Sequence, residues 1–477
     1  MVINIHNFGP INYLSFNLDK DLNLIYGQNA IGKSYATYLL YCIIKNLKNK
    51  NVPYRNDFFY SKHMLEDQKK RFKKIFKALT TDDEYNLSTY LEGTIEDLLK
   101  SMYLNNVENS LVNTFSSLDN LPNRYTNEEM RIEIVIAKNE KLIFSLDENS
   151  RLIFKFNLQE GDFILKIKNT KSTKYSLLHN GGKIFGKPTE EEFILNFVNF
   201  LRTKLNRIFS ELDNKIRDVY YLPASRSGLY QALNSFTPIM AELTQNRFFL
   251  QSKTIQLPSL SEPLSDYFID LSTLDNSREN DDFKDLIEKL QKEILKGNVT
   301  YDDKNKQIKF NPTGIDLELN LSEASSMVSE LSPLVLYFKH IINHKYQTES
   351  HFNPFYYDYF YSTGIKNKQD DIIFMEEPEA HLHPTVQVKL MEIFALLAKR
   401  NIKLFITSHS NYMFNKLNNI ILKDGFDINK IAVYHLIRDK VNSGTKDGEM
   451  TISKEGIEDD NFQDVTVDLY NERMNSI

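Results

Sequence analysis

Two consecutive carboxylates, Glu376 and Glu377, close the apolar run Ile372-Ile373-Phe374-Met375 in the stretch I-I-F-M-E-E-P-E-A-H-L-H-P, Ile372 to Pro384. A run of that length suits a strand buried on both faces of a parallel sheet, and open α/β sheets place their chemistry at the carboxyl ends of such strands. Two anions at a hydrophobic rim are costly unless a cation or a proton transfer uses them. One reading gives Glu376 a Mg²⁺ ion and Glu377 a water to activate. The other is a strand that runs out into a solvated acidic turn.

A second stretch, G-Q-N-A-I-G-K-S from Gly27 to Ser34, has the P-loop pattern. Its glycines let the backbone N–H groups of Gly27, Asn29, Ala30, Ile31 and Gly32, and of Tyr35 beyond the motif, wrap phosphates. Lys33 reaches the β- and γ-phosphates, and the Ser34 hydroxyl binds Mg²⁺. K-L-F-I-T-S-H-S, Lys403 to Ser410, reads as a further buried strand, ending in Ser408 and His409. A histidine at the same rim can sense a γ-phosphate through its N–H. Ser325 and Ser326 begin a helical pattern carrying Val328, Leu331, Leu334, Val335 and Phe338. They are simple caps or, by the same physics, an anion site at a helix start. Arg226, in V-Y-Y-L-P-A-S-R-S-G from Val219 to Gly228, either clamps a phosphate or a partner's acid, or caps a turn. His381 and His383 form an H-x-H pair without a nearby third ligand and read as structural.

The elements that must position these residues follow from periodicity. Val2 to His6, Ile11 to Leu18 and Leu22 to Tyr26 read as strands, the third running directly into the P-loop. Ala36, Leu39, Leu40, Ile43, Ile44 and Leu47 then mark one helical face, which sets bound phosphates at a helix N-terminus. Residues 51–127 read as helical. Within them the stripe Phe72, Ile75, Phe76, Leu79 is flanked by Lys69, Lys70, Arg71, Lys73, Lys74 and Lys77, a solvated face or a contact for nucleic-acid phosphates. From Met130 the period becomes two, and M-R-I-E-I-V-I-A, K-L-I-F-S-L-D, R-L-I-F-K-F-N-L and F-I-L-K-I-K read as successive strands of an antiparallel layer. A helix is expected from Glu190 to Lys215, helices across 229–297 with a loop at Leu257 to Leu264, and a hairpin from Gln307 to Asn320. Pro384 opens a helix carrying Val386, Leu390, Ile393, Phe394 and Leu397, and tail strands lie near Lys430 to Ile437 and Met450 to Ile452. The expected fold class is α/β, a P-loop nucleotide-binding fold with an antiparallel β layer and helical insertions. Its divisions are 1–50 (strands and P-loop), 51–127 (helical insertion), 128–228 (β-rich lobe), 229–300 (helical insertion) and 301–477 (the helix-start serines, acidic strand and histidine strand).

Composition narrows the function classes. A length of 477 residues suggests two or three lobes. The single cysteine, Cys42, excludes a disulfide within the chain and fits a reducing cytosol. The first residues lack a basic region followed by an apolar one, and no apolar run approaches the roughly 20 residues of a membrane span, so a soluble cytoplasmic protein is expected. A net charge of −6 argues against coating nucleic acid over the whole surface, while leaving room for a local basic patch.

Together Gly27 to Ser34, Ser325 and Ser326, I-I-F-M-E-E-P-E-A-H-L-H-P and I-T-S-H-S resemble the ATP-binding-cassette heads of the SMC and RecF group. The chain most resembles the bacterial overcoming-lysogenization-defect (OLD) and related anti-phage AAA-type ATPases. The likeness covers nearly the whole chain, including N-F-G-P-I before the P-loop and Y-L-P-A-S-R-S-G in the middle. It implies ATP and Mg²⁺ as ligands, Lys33 and Ser34 as Walker A residues, Glu376 as the Mg²⁺-side Walker B acid and Glu377 as catalytic base. It further implies a D-loop at Ala380 to His383 and His409 as switch histidine. In such heads the nucleotide lies between the P-loop of one protomer and the signature helix of another, so a dimer or higher oligomer is expected. Met327 departs from the glycine common at that place in relatives, and Arg226 or Gln231 stands where a glutamine is expected. The Toprim nuclease domain of OLD proteins is expected to be absent. The implied role is a nucleotide-switched sensor in DNA-linked genome defence, with a separate nuclease or toxin as effector and possible contact with DNA. Alternatives are a repair or recombination ATPase, and a scaffold that sequesters an effector with little hydrolysis.

Overall fold

The computed structural model describes residues 1–48, 62–80, 82–126, 128–137, 140–158, 161–168, 170, 172, 174–213, 216–230, 260–277, 279–342, 369–423, 425–438, 445–457 and 469–475. β1 (Val2–Phe8) and β2 (Ile11–Asn17) form a hairpin whose inward residues Ile3, Ile5, Leu14 and Phe16 are fully buried. β3 (Leu22–Gly27) is buried along nearly its whole length, as a central parallel strand must be. It leads through the P-loop into α1 (Lys33–Leu47). Next come α2 (Lys62–Ala78), β4 (Glu84–Asn86) and α3 (Ser88–Phe115). The antiparallel strands β5 (Arg131–Ala137), β6 (Glu140–Leu146), β7 (Leu152–Leu158), β8 (Phe163–Ile167), β9 (Tyr175–His179) and β10 (Gly182–Lys187) follow, then α4 (Glu190–Asp213) and β11 (Ile216–Leu222). The later part comprises α5 (Glu262–Ser272), α6 (Lys284–Lys289), β12 (Gly297–Asp302), β13 (Gln307–Pro312), β14 (Leu319–Asn320), α7 (Ser326–Leu336), β15 (Asp370–Glu376) and α8 (Pro384–Leu397). β16 (Ile402–Ser408), α9 (Asn411–Leu422), β17 (Ile431–Arg438) and β18 (Thr445–Glu449) complete the principal elements.

Among the described residues, eleven strands share one sheet in the order β11-β15-β16-β3-β17-β18-β2-β1-β5-β6-β7. The first five are mutually parallel, and the run from β1 to β7 is an antiparallel meander. Of the four strands expected in the antiparallel layer, three extend this sheet. The fourth, β8, instead joins a separate four-stranded sheet, β10-β9-β8-β4. Its edges pair with β9 and with the short β4 far back in sequence, a partner that alternation alone cannot reveal. The hairpin expected at Gln307 to Asn320 is likewise part of a three-stranded sheet with β12. The helical expectation across 51–61 and 231–259 lies outside the described residues.

Alternating residues of the parallel strands feed two cores. Phe374, Phe405, Tyr221 and Ile372 face α1, α3 and the meander, whereas Ile373, Met375, Leu404 and Ile406 face α7, α8 and α9. α1 is therefore buried around most of its circumference, between the sheet and α3. Phe374 is fully buried, stacked on Phe405 at 5.0 Å and on Tyr221 at 6.0 Å between ring centroids. Among the described residues no helix is long and apolar enough to cross a membrane. Phe374→Ala should cost about 3–5 kcal/mol through the cavity it leaves, read as a shift in the urea unfolding midpoint, with Phe374→Leu costing clearly less. A loss below about 1 kcal/mol for the alanine variant would mean that this stack does not organise the core.

Candidate functional site

The register of the parallel strands brings the chemical residues to one rim. Leu222 pairs with Met375, Glu376 with Thr407 and Ser408 with Tyr26. Four chain segments thus leave the sheet side by side: the loop after β11, the acidic turn after β15, the histidine turn after β16 and the P-loop after β3.

The P-loop backbone depends on two glycines. Gly27 (φ 152°) sits so close to β17 that a Cβ would lie 2.6 Å from the Leu436 carbonyl oxygen. Gly32 (φ 103°) packs on the β1–β2 turn, where a Cβ would lie 2.8 Å from Pro10. Gly32 is also the N-cap of α1 and makes no side-chain cap, so the first N–H groups of that helix are left to an anion. A cavity of about 840 Å³ opens there, lined by Pro10, the loop from Asn29 to Ser34, Tyr35, Glu377 and His409. Lys33 Nζ donates to the carbonyls of Gly27 (3.0 Å) and Gln28 (2.9 Å). Burial pushes its pKa down to about 8, against the opposing pull of Glu377, Glu379 and Glu376.

Glu376 and Glu377 are adjacent in sequence and opposite in environment. Glu376 is buried, and desolvation raises its pKa even though the Ser34 and Tyr221 hydroxyls bond its carboxylate. Its Oε1 is buried without a hydrogen-bond partner. Ser34 and Glu376 therefore offer the hard oxygen donors that suit Mg²⁺ beside the phosphates. Glu377 is part-exposed, with φ 41°, and its Oε1 lies 3.3 Å from His409 Nε2. That hydrogen bond, ahead of the charges of His409, Lys33 and Arg226, holds its pKa below the usual carboxylate value. The carboxylate is therefore ionised at neutral pH and faces the P-loop cavity, the state and place a general base requires.

The remaining candidates lie elsewhere. Ser325 is the N-cap of α7, its Oγ accepting from the Val328 N–H at 3.5 Å. Both Ser325 and Ser326 are exposed, and neither lines the cavity. His383 caps α8 by accepting from the Thr385 N–H, while His381 is exposed at φ 60°. No group of three metal-type ligands occurs among the described residues. Arg226 is not available to a phosphate: it is buried, with its guanidinium committed to Pro223, Glu330 and Glu376. An arginine in a strand-end turn reads as exposed from sequence; the buried acid on α7, Glu330, draws it inward. Gln231 lies outside the described residues.

Three residues of the site escaped the sequence reading. Tyr221, fully buried, links the Thr37 hydroxyl (3.0 Å) to Glu376. Glu379 accepts from the Ser408 hydroxyl (2.7 Å) and the His409 N–H (2.6 Å), fixing the backbone that presents the histidine. Pro10 forms a wall of the cavity. Glu379 had a signal, as the third carboxylate of E-E-P-E; Tyr221 had none beyond its place in a strand.

The model of the AAA ATPase domain family matches residues 1–414. The chain belongs to that family. Among solved structures, this AAA ATPase is similar to an SMC head bound to the C-winged helix domain of ScpA and to the SMC head domain from Thermotoga maritima. A third is an Smc head with an extended coiled coil bound to the C-terminal domain of ScpA derived from Pyrococcus furiosus. Each is 10% identical at a TM-score of 0.33, covering 95%, 94% and 99% of this chain and 98% of its own. No curated protein matches the chain.

A lysine whose pKa burial pushes down to about 8 regains its charge against a polyphosphate. ATP binding should therefore take up close to one proton per site around pH 9 and almost none at pH 7, measured by calorimetry in buffers of different ionisation enthalpy. Lys33→Met should abolish the uptake. Equal uptake in the variant would assign the proton to another group.

Proposed function

We propose that this AAA ATPase binds and hydrolyses ATP, with Glu377 as general base and a composite site formed by two copies of the chain. One observation carries the reading: an ionised carboxylate paired with His409 faces the P-loop lysine across a single cavity. Lys33 and the α1 N-terminus hold the β- and γ-phosphates. Ser34 and Glu376 would hold Mg²⁺, which when bound neutralises phosphate charge. Glu377 accepts the proton of the attacking water, and His409 orients that carboxylate.

The dimeric part of the proposal is supported by the placement of Ser325 and Ser326. Their helix start is exposed and away from the cavity of its own chain, so its N–H groups can meet a γ-phosphate only on another molecule. Two-fold closure pairs each P-loop with the partner's α7. The wider role we propose is a nucleotide-switched sensor or scaffold in DNA-linked anti-phage defence, acting through a separate nuclease or toxin. It is supported by the resemblance of the motifs to OLD-type ATPases.

Glu377→Gln should bind ATP as tightly as the unaltered protein while phosphate release slows by about 10² to 10⁴. Lys33→Ala should weaken binding itself. Wild-type turnover in Glu377→Gln would remove the base assignment. Mixing Lys33→Ala chains with chains in which Ser325 and Ser326 are both replaced by Glu should restore part of the ATPase activity, because some mixed dimers carry one intact site. Full activity of the doubly substituted serine variant as a monomer would refute the shared site.

A further inference from the structure

The single peptide unit between the two acidic residues is held from both sides. Its N–H, that of Glu377, donates to the Thr407 carbonyl on β16 at 3.0 Å. Its carbonyl, that of Glu376, accepts from Arg226 Nη1 at 3.0 Å. Glu377 has a positive φ, a conformation that an L-residue keeps only where its surroundings impose it. A rotation of this peptide would break both bonds and turn the Glu377 side chain away from His409.

Arg226 is itself fixed by α7. Its Nε donates to the Glu330 carbonyl at 3.1 Å, its backbone N–H to Glu330 Oε2 at 3.1 Å, and Nη1 also to the Pro223 carbonyl at 3.0 Å. Nη2 lies 3.4 Å from Glu330 Oε2, an ion pair without hydrogen-bond geometry. The other carboxylate oxygen, Oε1, accepts from the Ser227 hydroxyl (2.5 Å) and N–H (3.3 Å). Glu330 is fully buried and Arg226 is 2% exposed. A buried ion pair with this many satisfied groups contributes little net stability, but it fixes geometry stringently. Glu330 stands in the second turn of the helix that Ser325 caps. Arg226 alone therefore separates the helix from the peptide that aims the base.

We propose that Arg226 is a positioning residue for hydrolysis, and that Glu330 ties the aim of Glu377 to the placement of α7. This rests on the ATPase reading above and adds a route within each chain. Engagement of the α7 start by a second copy is transmitted through Glu330 and Arg226 to the Glu376–Glu377 peptide. Neither residue touches the nucleotide cavity, so both act on turnover and not on binding.

The test separates turnover from affinity in the full-length chain. Arg226→Gln should lower kcat by about 10²-fold, the usual effect of misplacing a reacting group by an ångström or so. The dissociation constant for a fluorescent ATP analogue should stay within about twofold, since no binding contact is removed. Glu330→Gln should lower kcat by about 10- to 100-fold with equally little effect on binding, although it lies one residue further from the base. Breaking a buried pair can unfold a protein, so a third variant replaces both charges, Arg226→Met with Glu330→Met, which conserves volume and strands no charge. That protein should keep its melting temperature and its ATP affinity and still lose turnover. A folded double variant with wild-type kcat would overturn the proposal, because a purely structural pair leaves turnover per bound nucleotide unchanged. If instead the unaltered protein hydrolyses ATP no faster than Glu377→Gln, the ATPase reading fails and the proposal falls with it.

Discussion

Parallel strand register is the constraint on which the rest of the molecule depends. β11, β15, β16 and β3 lie side by side in the same direction, so the segments that leave them emerge at one rim. Hydrogen bonding between parallel strands fixes this alignment to within a residue, and the buried faces forbid a slip, which would turn Phe374 and Phe405 out of one core and into the other. The geometry of the rim is thus inherited from backbone pairing.

What the rim contains is a graded set of electrostatic environments. Glu376 is dry, has one unpartnered oxygen and is raised in pKa. Glu377, one residue on, is half in solvent, bonded to His409 and lowered. The chain leaves β15 between them, with a positive φ at Glu377. Lys33, drawn into the loop by two carbonyls, is pushed down to about 8. Each departure makes its group responsive to a neighbouring charge, and a metal-bound polyphosphate carries both signs.

Arg226 and Glu330 connect this set to α7, and with it the rim to the exposed helix start at Ser325. Glu379 does the same for the histidine turn, joining the acidic segment to the backbone of His409. The site is consequently braced from both flanks by buried polar groups, which cost more to leave unsatisfied than they contribute when satisfied. Precision of placement, and not stability, is what such groups supply.

Local chemistry was legible in the sequence. The spacing of the glycines marked a tight loop between strand and helix, because Gly27 and Gly32 hold positive φ where a Cβ would clash. The apolar run before Glu376 and the Pro384 start of α8 determined a buried strand and the helix after it, because burial period and proline geometry are local properties. Tertiary structure alone decided the rest. The departure of β8 to a second sheet, the bond of Tyr221 to Glu376, and the withdrawal of Arg226 from any phosphate all depend on partners from about 80 to 155 residues away in the chain. Periodicity reports which side of an element is buried, but not what it is buried against. For a charged residue such as Arg226, that missing partner determines whether it faces solvent or is drawn in against Glu330 and the Glu376 carbonyl.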